Sequence, residues 1–281
     1  MIRETLRLEY AEIQFRDVGH VSKQPLIFIH GSPSQYEDLS SEIRDYLEDN
    51  FRVISYQRPG FGKSLSRGRL TLDHQEGILS ALIEQLELRT PLIVSHSIGC
   101  IISAYYAQNH SDVAGLIFLQ PFMAPIPQAQ SRSRFLKLLR LGLMGRVGLE
   151  VLARTVGASG IEKNLLMSSS PRKISACSFE EDKFMYSMPQ TLLAILEEKE
   201  LLVNAPDLRL RKELPVSIIA GDSDEISPSR TQVEPLLSKT PQSHVFYEKN
   251  AGHSLSHISL ETFKTSLNSM TPKTGDRYAT A

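Results

Sequence analysis

Apolar and polar positions alternate at the start of this 281-residue chain. Leu6, Leu8 and Tyr10, then Ile13 and Phe15, stand between polar neighbours, the period-two pattern of an antiparallel strand pair. The pattern then changes. Pro25 to Ile29 is an unbroken apolar run, and unbroken runs suit strands buried on both faces of a parallel sheet. Similar short runs recur at 51–56, 92–95 and 113–119, separated by stretches of helical periodicity at 37–49, 72–88 and onward from the third run to about 108. Strand alternating with helix predicts an α/β fold, a mostly parallel twisted sheet flanked by helices.

The rhythm breaks between about Pro121 and Pro206, where no buried strand run occurs and the pattern is helical. It resumes with a strand at 215–220, a helix at 229–239, a strand at 244–247 and a helix at 257–270. The expected organisation is a core in two pieces, 1–121 and 206–270, interrupted by a helical insert at 122–205 and followed by a polar tail at 271–281.

Composition narrows the function classes. Apolar residues make up 41% and charged residues 22%, and the net charge is −1, so no overall field favours nucleic acid or an anionic membrane. Two cysteines, Cys100 and Cys177, are too few for a disulfide framework, and no metal-ligand spacing appears. Cys100 reads as a small buried filler. The N-terminus is broken by charges every few residues, unlike a signal peptide, and no apolar run reaches membrane-spanning length. The expectation is a cytoplasmic protein with no cofactor and no metal, whose partner is a small molecule.

The sharpest chemical signal is Ser95-His96-Ser97-Ile98-Gly99, at the end of an apolar strand and the start of a helix. A serine at the apex of so tight a turn needs small residues two positions before and after it, and Ser95 and Gly99 meet that need. Alone, Ser97 also reads as an ordinary helix-capping serine. Two further loops change the weighing. The strand at Ile218 ends in Gly221-Asp222-Ser223-Asp224-Glu225, and the strand at Val245 leads into Gly252-His253. In a parallel sheet both loops emerge on the edge that carries Ser97, so an acid from the first and a histidine from the second converge on it. The order Ser, acid, His separates this arrangement from other serine-triad architectures.

With these residues together, the chain resembles the α/β-hydrolase superfamily. The resemblance also rests on His30-Gly31-Ser32-Pro33, on Arg58-Pro59-Gly60-Phe61-Gly62-Lys63-Ser64 and on the spacing Gly221-x-x-Asp224-x-x-x-Pro228. It implies an α/β-hydrolase fold whose insert is a helical cap after the sixth strand. Ser97 is the implied nucleophile, His253 the base and then general acid, and Asp224, selected by the family spacing over Asp222 and Glu225, the residue that steadies the imidazole. The implied oxyanion donors are the backbone N–H groups of Ile98 and Ser32. Gly31 and His96 are expected beside the substrate, His96 without acting as the base. His30 is expected to brace the loop carrying Ser32, and His257 to lie on a helix face.

The implied activity is a serine hydrolase acting on a small, partly apolar carbonyl compound, first a carboxylic ester. The alternatives are C–C hydrolysis of a diketone, a non-hydrolytic lyase on the same triad, and a non-catalytic small-molecule receptor. A serine nucleophile argues against the aspartate-dependent haloalkane dehalogenases and epoxide hydrolases. Ser95 and Gln57 depart from the family's usual Gly and Asp. Residues 131–156 form a leucine-rich stretch with six basic residues against Glu150 alone; this is read as a lid with an apolar underside and a solvated basic face, in preference to a membrane-binding helix.

Overall fold

A computed structural model describes residues 4–32, 34–123, 142–153, 155, 166–167, 170–171, 188–203, 206–240 and 242–270. The opening alternation becomes a hairpin, β1 (Glu4–Leu8) and β2 (Ala11–Val18), with Tyr10 in the turn. The continuous runs become β3 (Pro25–Ile29), β4 (Arg52–Tyr56), β6 (Leu92–His96), β7 (Gly115–Leu119) and β8 (Val216–Gly221), with β9 (His244–Glu248) at the edge and a two-residue β5 (Leu65–Ser66) paired to β2. Strands lie in the order β1-β2-β4-β3-β6-β7-β8-β9. Pairing is antiparallel as far as β2–β4 and parallel from β4 onward.

Each central strand sends alternate side chains to opposite layers. Ile27, Ile93, Leu116 and Ile218 pack under α2 (Leu72–Gln85) and α3 (Gly99–Asn109). Phe28, Val94, Ile117 and Ile219 pack on the other face with Ile43 and Leu47 of α1 (Ser41–Asn50) and with Phe263. Both faces are therefore covered, which is why these strands read as unbroken apolar runs.

The chain departs from β3 to β4 on one side and returns to β6 on the other, so the order reverses between β3 and β6. A crevice opens outside the carboxyl ends of strands at such a reversal. β3 leads there into His30-Gly31-Ser32, and β6 into Ser97.

Between β7 and β8 the described helices are α4 (Gly142–Leu152) and α5 (Pro189–Val203), and Leu149 of the first packs with Leu193 and Leu196 of the second. Because β5 is not visible as a hydrophobic run, this segment follows the seventh strand and not the expected sixth. Most of the basic stretch 131–156 and the tail 271–281 lie outside the described residues.

Three expected helices end differently. The first starts only at Ser41, where the Ser40 hydroxyl accepts the Ile43 N–H; Tyr36–Asp38 before it is a separate 3-10 turn. The expected helix 229–239 is two pieces, α6 (Ser229–Gln232) and α7 (Glu234–Lys239), because Pro235 has no N–H to continue the ladder. The expected helix 257–270 is a 3-10 turn, Leu255–His257, followed by α8 (Leu260–Ser269), whose start is fixed by the Ser259 hydroxyl accepting the Thr262 N–H.

α3 can lie this close to β3 only because Gly99 has no side chain. A Cβ there would sit 2.6 Å from the Ile29 carbonyl oxygen and 2.8 Å from that of His30. Gly99→Ala is expected to lower the unfolding free energy by about 1–3 kcal/mol, as overpacking typically does. Urea denaturation checks this, and an unchanged midpoint at unchanged slope would refute the close approach.

Candidate functional site

Ser97 has φ +52°, a left-handed conformation that side chains rarely adopt. Three backbone bonds impose it. Its N–H donates to the Leu119 carbonyl at 3.0 Å, and its own carbonyl accepts from Cys100 N–H at 3.0 Å and Phe122 N–H at 3.1 Å. The side chain is thereby turned out of the strand line toward the N-terminal end of α3. Ser95 occupies its place in the elbow by pointing into α3, where its hydroxyl meets that of Ser103 at 2.8 Å; Ser103 in turn donates to the Cys100 carbonyl. Cys100 is fully buried, which pushes its thiol up to about 12.

The Ser97 Oγ lies 2.8 Å from His253 Nε2, and His253 Nδ1 lies 2.7 Å from Asp224 Oδ2. The structure therefore brings Ser97, His253 and Asp224, predicted from the sequence, into one hydrogen-bonded line. The other Asp224 oxygen accepts the N–H groups of Ile226 at 2.9 Å and Ser227 at 2.8 Å. Burial pushes the Asp224 carboxyl up, but the facing imidazole and these three hydrogen bonds outweigh it and hold the group below the ordinary aspartate range. It is the acceptor for the Nδ1 proton, which leaves Nε2 free to accept from Ser97. Ser223 Oγ bonds Asp222 instead, on the exposed side of the turn.

The loop after β3 presses against this line. A Cβ at Gly31 would lie 2.8 Å from Ser97 Cβ and 2.7 Å from His96 Nδ1, so only glycine fits. The Gly31 N–H donates to Ser34 Oγ at 2.7 Å, and Ser34 Oγ lies 2.8 Å from His96 Nδ1. On its other side His96 Nε2 lies 3.0 Å from the His253 carbonyl, which can only accept, so Nε2 carries the proton and Ser34 donates to Nδ1. Both His96 nitrogens and the Gly31 N–H and carbonyl are thus committed to the protein. Gly31 and His96, expected beside the substrate, lie next to Ser97 and His253 and brace them. His30 braces the same loop, as expected: it accepts the Arg58 N–H at Nε2 (2.8 Å) and donates from Nδ1 to the Gly31 carbonyl (2.7 Å). His257 accepts the Gly252 N–H at 3.0 Å, fixing the turn before His253.

Several contributors were not singled out from sequence. Gln120, itself at φ +45°, donates to the Gly252 carbonyl at 2.6 Å and supports the His253 loop. The Arg58 side chain is wholly buried; it donates to the Gly31 carbonyl at 2.7 Å and pairs with Glu198 of α5. Burial pushes the Glu198 carboxyl up against the lowering pull of Arg58. The Ser32 hydroxyl lies beside Glu198 without completing a hydrogen bond. Among the described residues no three His, Cys, Asp or Glu side chains are grouped to hold a metal ion, and no helix is long and apolar enough to cross a membrane.

A family model described as "Alpha/beta hydrolase family" matches residues 26–261. The chain belongs to that family. Among curated proteins, a non-heme chloroperoxidase of Burkholderia pyrrocinia is 30% identical over 118 residues, covering 41% of this chain and 42% of the relative. The match thus spans less than half of that relative's length. Among solved structures, an esterase from Thermogutta terrifontis superposes with a TM-score of 0.74 at 21% identity, covering 95% of this chain and 97% of that one. A bromoperoxidase from Bacillus anthracis gives a TM-score of 0.73 at 21% identity, covering 96% and 99%. These two likenesses carry the α/β-hydrolase fold across nearly the whole chain.

This α/β-hydrolase keeps two support histidines neutral. Burial, chiefly, lowers His96 to about 3 and holds His30 well below 6.5. In the unfolded chain both take up a proton near pH 6.5, so unfolding consumes protons and stability falls as pH drops from about 6.5 toward 3. His96 is expected to remove about 2 kcal/mol between pH 7 and pH 5, and His30 acts in the same direction. Urea unfolding at the two pH values checks this. His96→Gln, whatever its stability at pH 7, is expected to lose about 2 kcal/mol less than wild type over the same interval. An equal loss in both proteins would show that His96 is not the neutral group described.

Proposed function

We propose that this chain is a serine hydrolase that cleaves a small, partly apolar carbonyl substrate, most readily a carboxylic ester. The observation that carries the reading is the continuous Ser97–His253–Asp224 hydrogen-bonded line, 2.8 Å and 2.7 Å, on a strained turn at the α/β reversal point. A serine hydroxyl is a weak nucleophile until a base takes its proton. His253 Nε2 accepts that proton as Oγ attacks the carbonyl carbon, and Asp224 holds the imidazolium that forms.

The carbonyl oxygen becomes an oxyanion, for which the backbone N–H groups of Ser32 and Ile98 are the proposed donors, aided by the positive end of α3. Collapse of the intermediate expels the alcohol, which takes its proton from His253. Water then adds to the acyl group with His253 again as base, releasing the acid and regenerating Ser97. Residues 122–205 are proposed as the cap, with α5 sitting on the 58–64 loop.

Labelling with a fluorophosphonate probe and turnover of 4-nitrophenyl esters test the reading. Wild type is expected to label and turn over. Ser97→Ala and His253→Ala are expected to lose labelling and at least about 10³-fold in kcat, and Asp224→Asn at least about 10²-fold, in line with triads of this kind. Folded wild type that neither labels nor hydrolyses, but binds small molecules saturably, would replace this reading with the receptor alternative.

A further inference from the structure

Arg58 and Glu198 form a buried ion pair between the core and α5, at 0% and 2% side-chain exposure. Such pairs contribute little net stability, since the cost of desolvating two charges offsets their attraction. Here the pair has a third member. The second guanidinium nitrogen of Arg58 donates to the Gly31 carbonyl at 2.7 Å, alongside His30 Nδ1 at 2.7 Å. The Arg58 backbone N–H completes a ring of contacts through His30 Nε2, and the guanidinium lies 4.8 Å from the centre of the Phe61 ring.

That carbonyl belongs to the same peptide unit as the Ser32 N–H. A trans peptide is planar and rigid, with its C=O and N–H directed oppositely. Two donors clamped on the carbonyl therefore fix the direction of the N–H at the other end. A positive charge on the carbonyl also polarises the unit and strengthens that N–H as a donor. Glu198 holds the guanidinium in place and balances its charge where both side chains are buried.

We propose that Glu198 and Arg58 are positioning residues for the oxyanion hole: α5, through this ion pair, aims the Ser32 N–H at the developing oxyanion. The proposal rests on the reading of Ser32 as an oxyanion donor. It makes docking of α5 a condition of full catalytic power. The docking is close: Thr191 Oγ1 donates to the Gly60 carbonyl at 2.9 Å, Gln190 Nε2 to that of Gly62 at 3.2 Å, and Glu197 accepts the Leu70 N–H at 3.1 Å.

The test separates positioning from mere stapling and uses the full chain with 4-nitrophenyl acetate as probe. The double variant Arg58→Met/Glu198→Met removes both charges and keeps an apolar filling, so it is expected to fold with a melting temperature near that of wild type. Its kcat is expected to fall by about 10- to 100-fold, with KM within about threefold. Recovery of wild-type kcat in this variant would reduce the pair to a staple and overturn the proposal. Arg58→Lys, which keeps the charge but cannot reach carbonyl and carboxylate together, is the second variant and is expected to show the same kcat loss; wild-type kcat there also overturns it.

A readout independent of turnover is the NMR signal of the Gly31 carbonyl carbon and the Ser32 amide in wild type and Glu198→Gln. Both are expected to shift, and unmoved signals in a folded variant overturn the proposal. Wild type without Ser97-dependent turnover would sink the hydrolase reading, and the two NMR signals would still decide whether the pair holds the peptide.

Discussion

The turn at Ser97 is the constraint on which the rest depends. A non-glycine residue at φ +52° costs of order 1–3 kcal/mol and persists only where the surroundings leave it no alternative. Here the surroundings are β7 and the chain after it: Leu119 takes the Ser97 N–H, and Phe122 reaches back to its carbonyl. The strain is held by the most buried part of the sheet, where β6 and β7 are buried throughout. The result is a hydroxyl presented at a helix N-terminus, at the strand-order reversal, with its backbone unable to relax toward a regular helix start. Gly99 and Gly31 are the corollaries. One lets α3 lie against β3, the other lets the next loop close on the serine, and each would collide within 2.8 Å if it carried a side chain.

Three histidines meet around that turn with different proton arrangements. His30 and His96 each carry one proton whose position is dictated by a partner that can act in only one way: the Arg58 N–H for the first, the His253 carbonyl for the second. Their neutrality is a condition of their role. A charged His96, 5.1 Å from the His253 ring, would oppose the imidazolium that the proposed mechanism requires at His253. Asp224 does the reverse for His253, supplying a fixed negative charge on the far side of the ring.

Features set by local chemistry were legible in the sequence. The small-x-Ser-x-small turn, the acid loop after β8 and Gly252-His253 each lie at a strand end, and strand ends are marked by where apolar runs stop. The bracing role of His30 followed from its loop. Choosing Asp224 over Asp222 and Glu225 needed the family spacing, since all three sit in one acidic turn; the structure separates them, because Asp224 faces His253 while Asp222 stays outside with Ser223. The break at Val233 had a local signal in Pro235 that periodicity overrode. What could not be read were side chains whose partners come from remote sequence. Gln120 and Gly252 are 132 positions apart, and Arg58 and Glu198 are 140 apart.

The least legible residues are the glutamates of α5. In sequence, Glu197, Glu198 and Glu200 belong to no motif and lie within the helical insert without a feature that singles them out. In the structure all three are buried, at 5% exposure or less. Their positions follow from what the 58–70 loop presents. A loop rich in glycine and proline leaves backbone N–H and carbonyl groups unpaired, and a helix that covers such a loop must bring polar side chains to satisfy them. Thr191 and Gln190 supply donors to Gly60 and Gly62, and Glu197 supplies an acceptor to Leu70. Glu198 answers a charge, not a backbone group, and that charge is fastened to the peptide preceding Ser32. An apolar residue in place of Glu198 would cost less in desolvation, but it would leave Arg58 without a counter-charge and the Gly31 carbonyl with His30 as its one firmly held donor. The burial of charge at this one place is thus better accounted for by the orientation it imposes on the Gly31–Ser32 peptide than by stability.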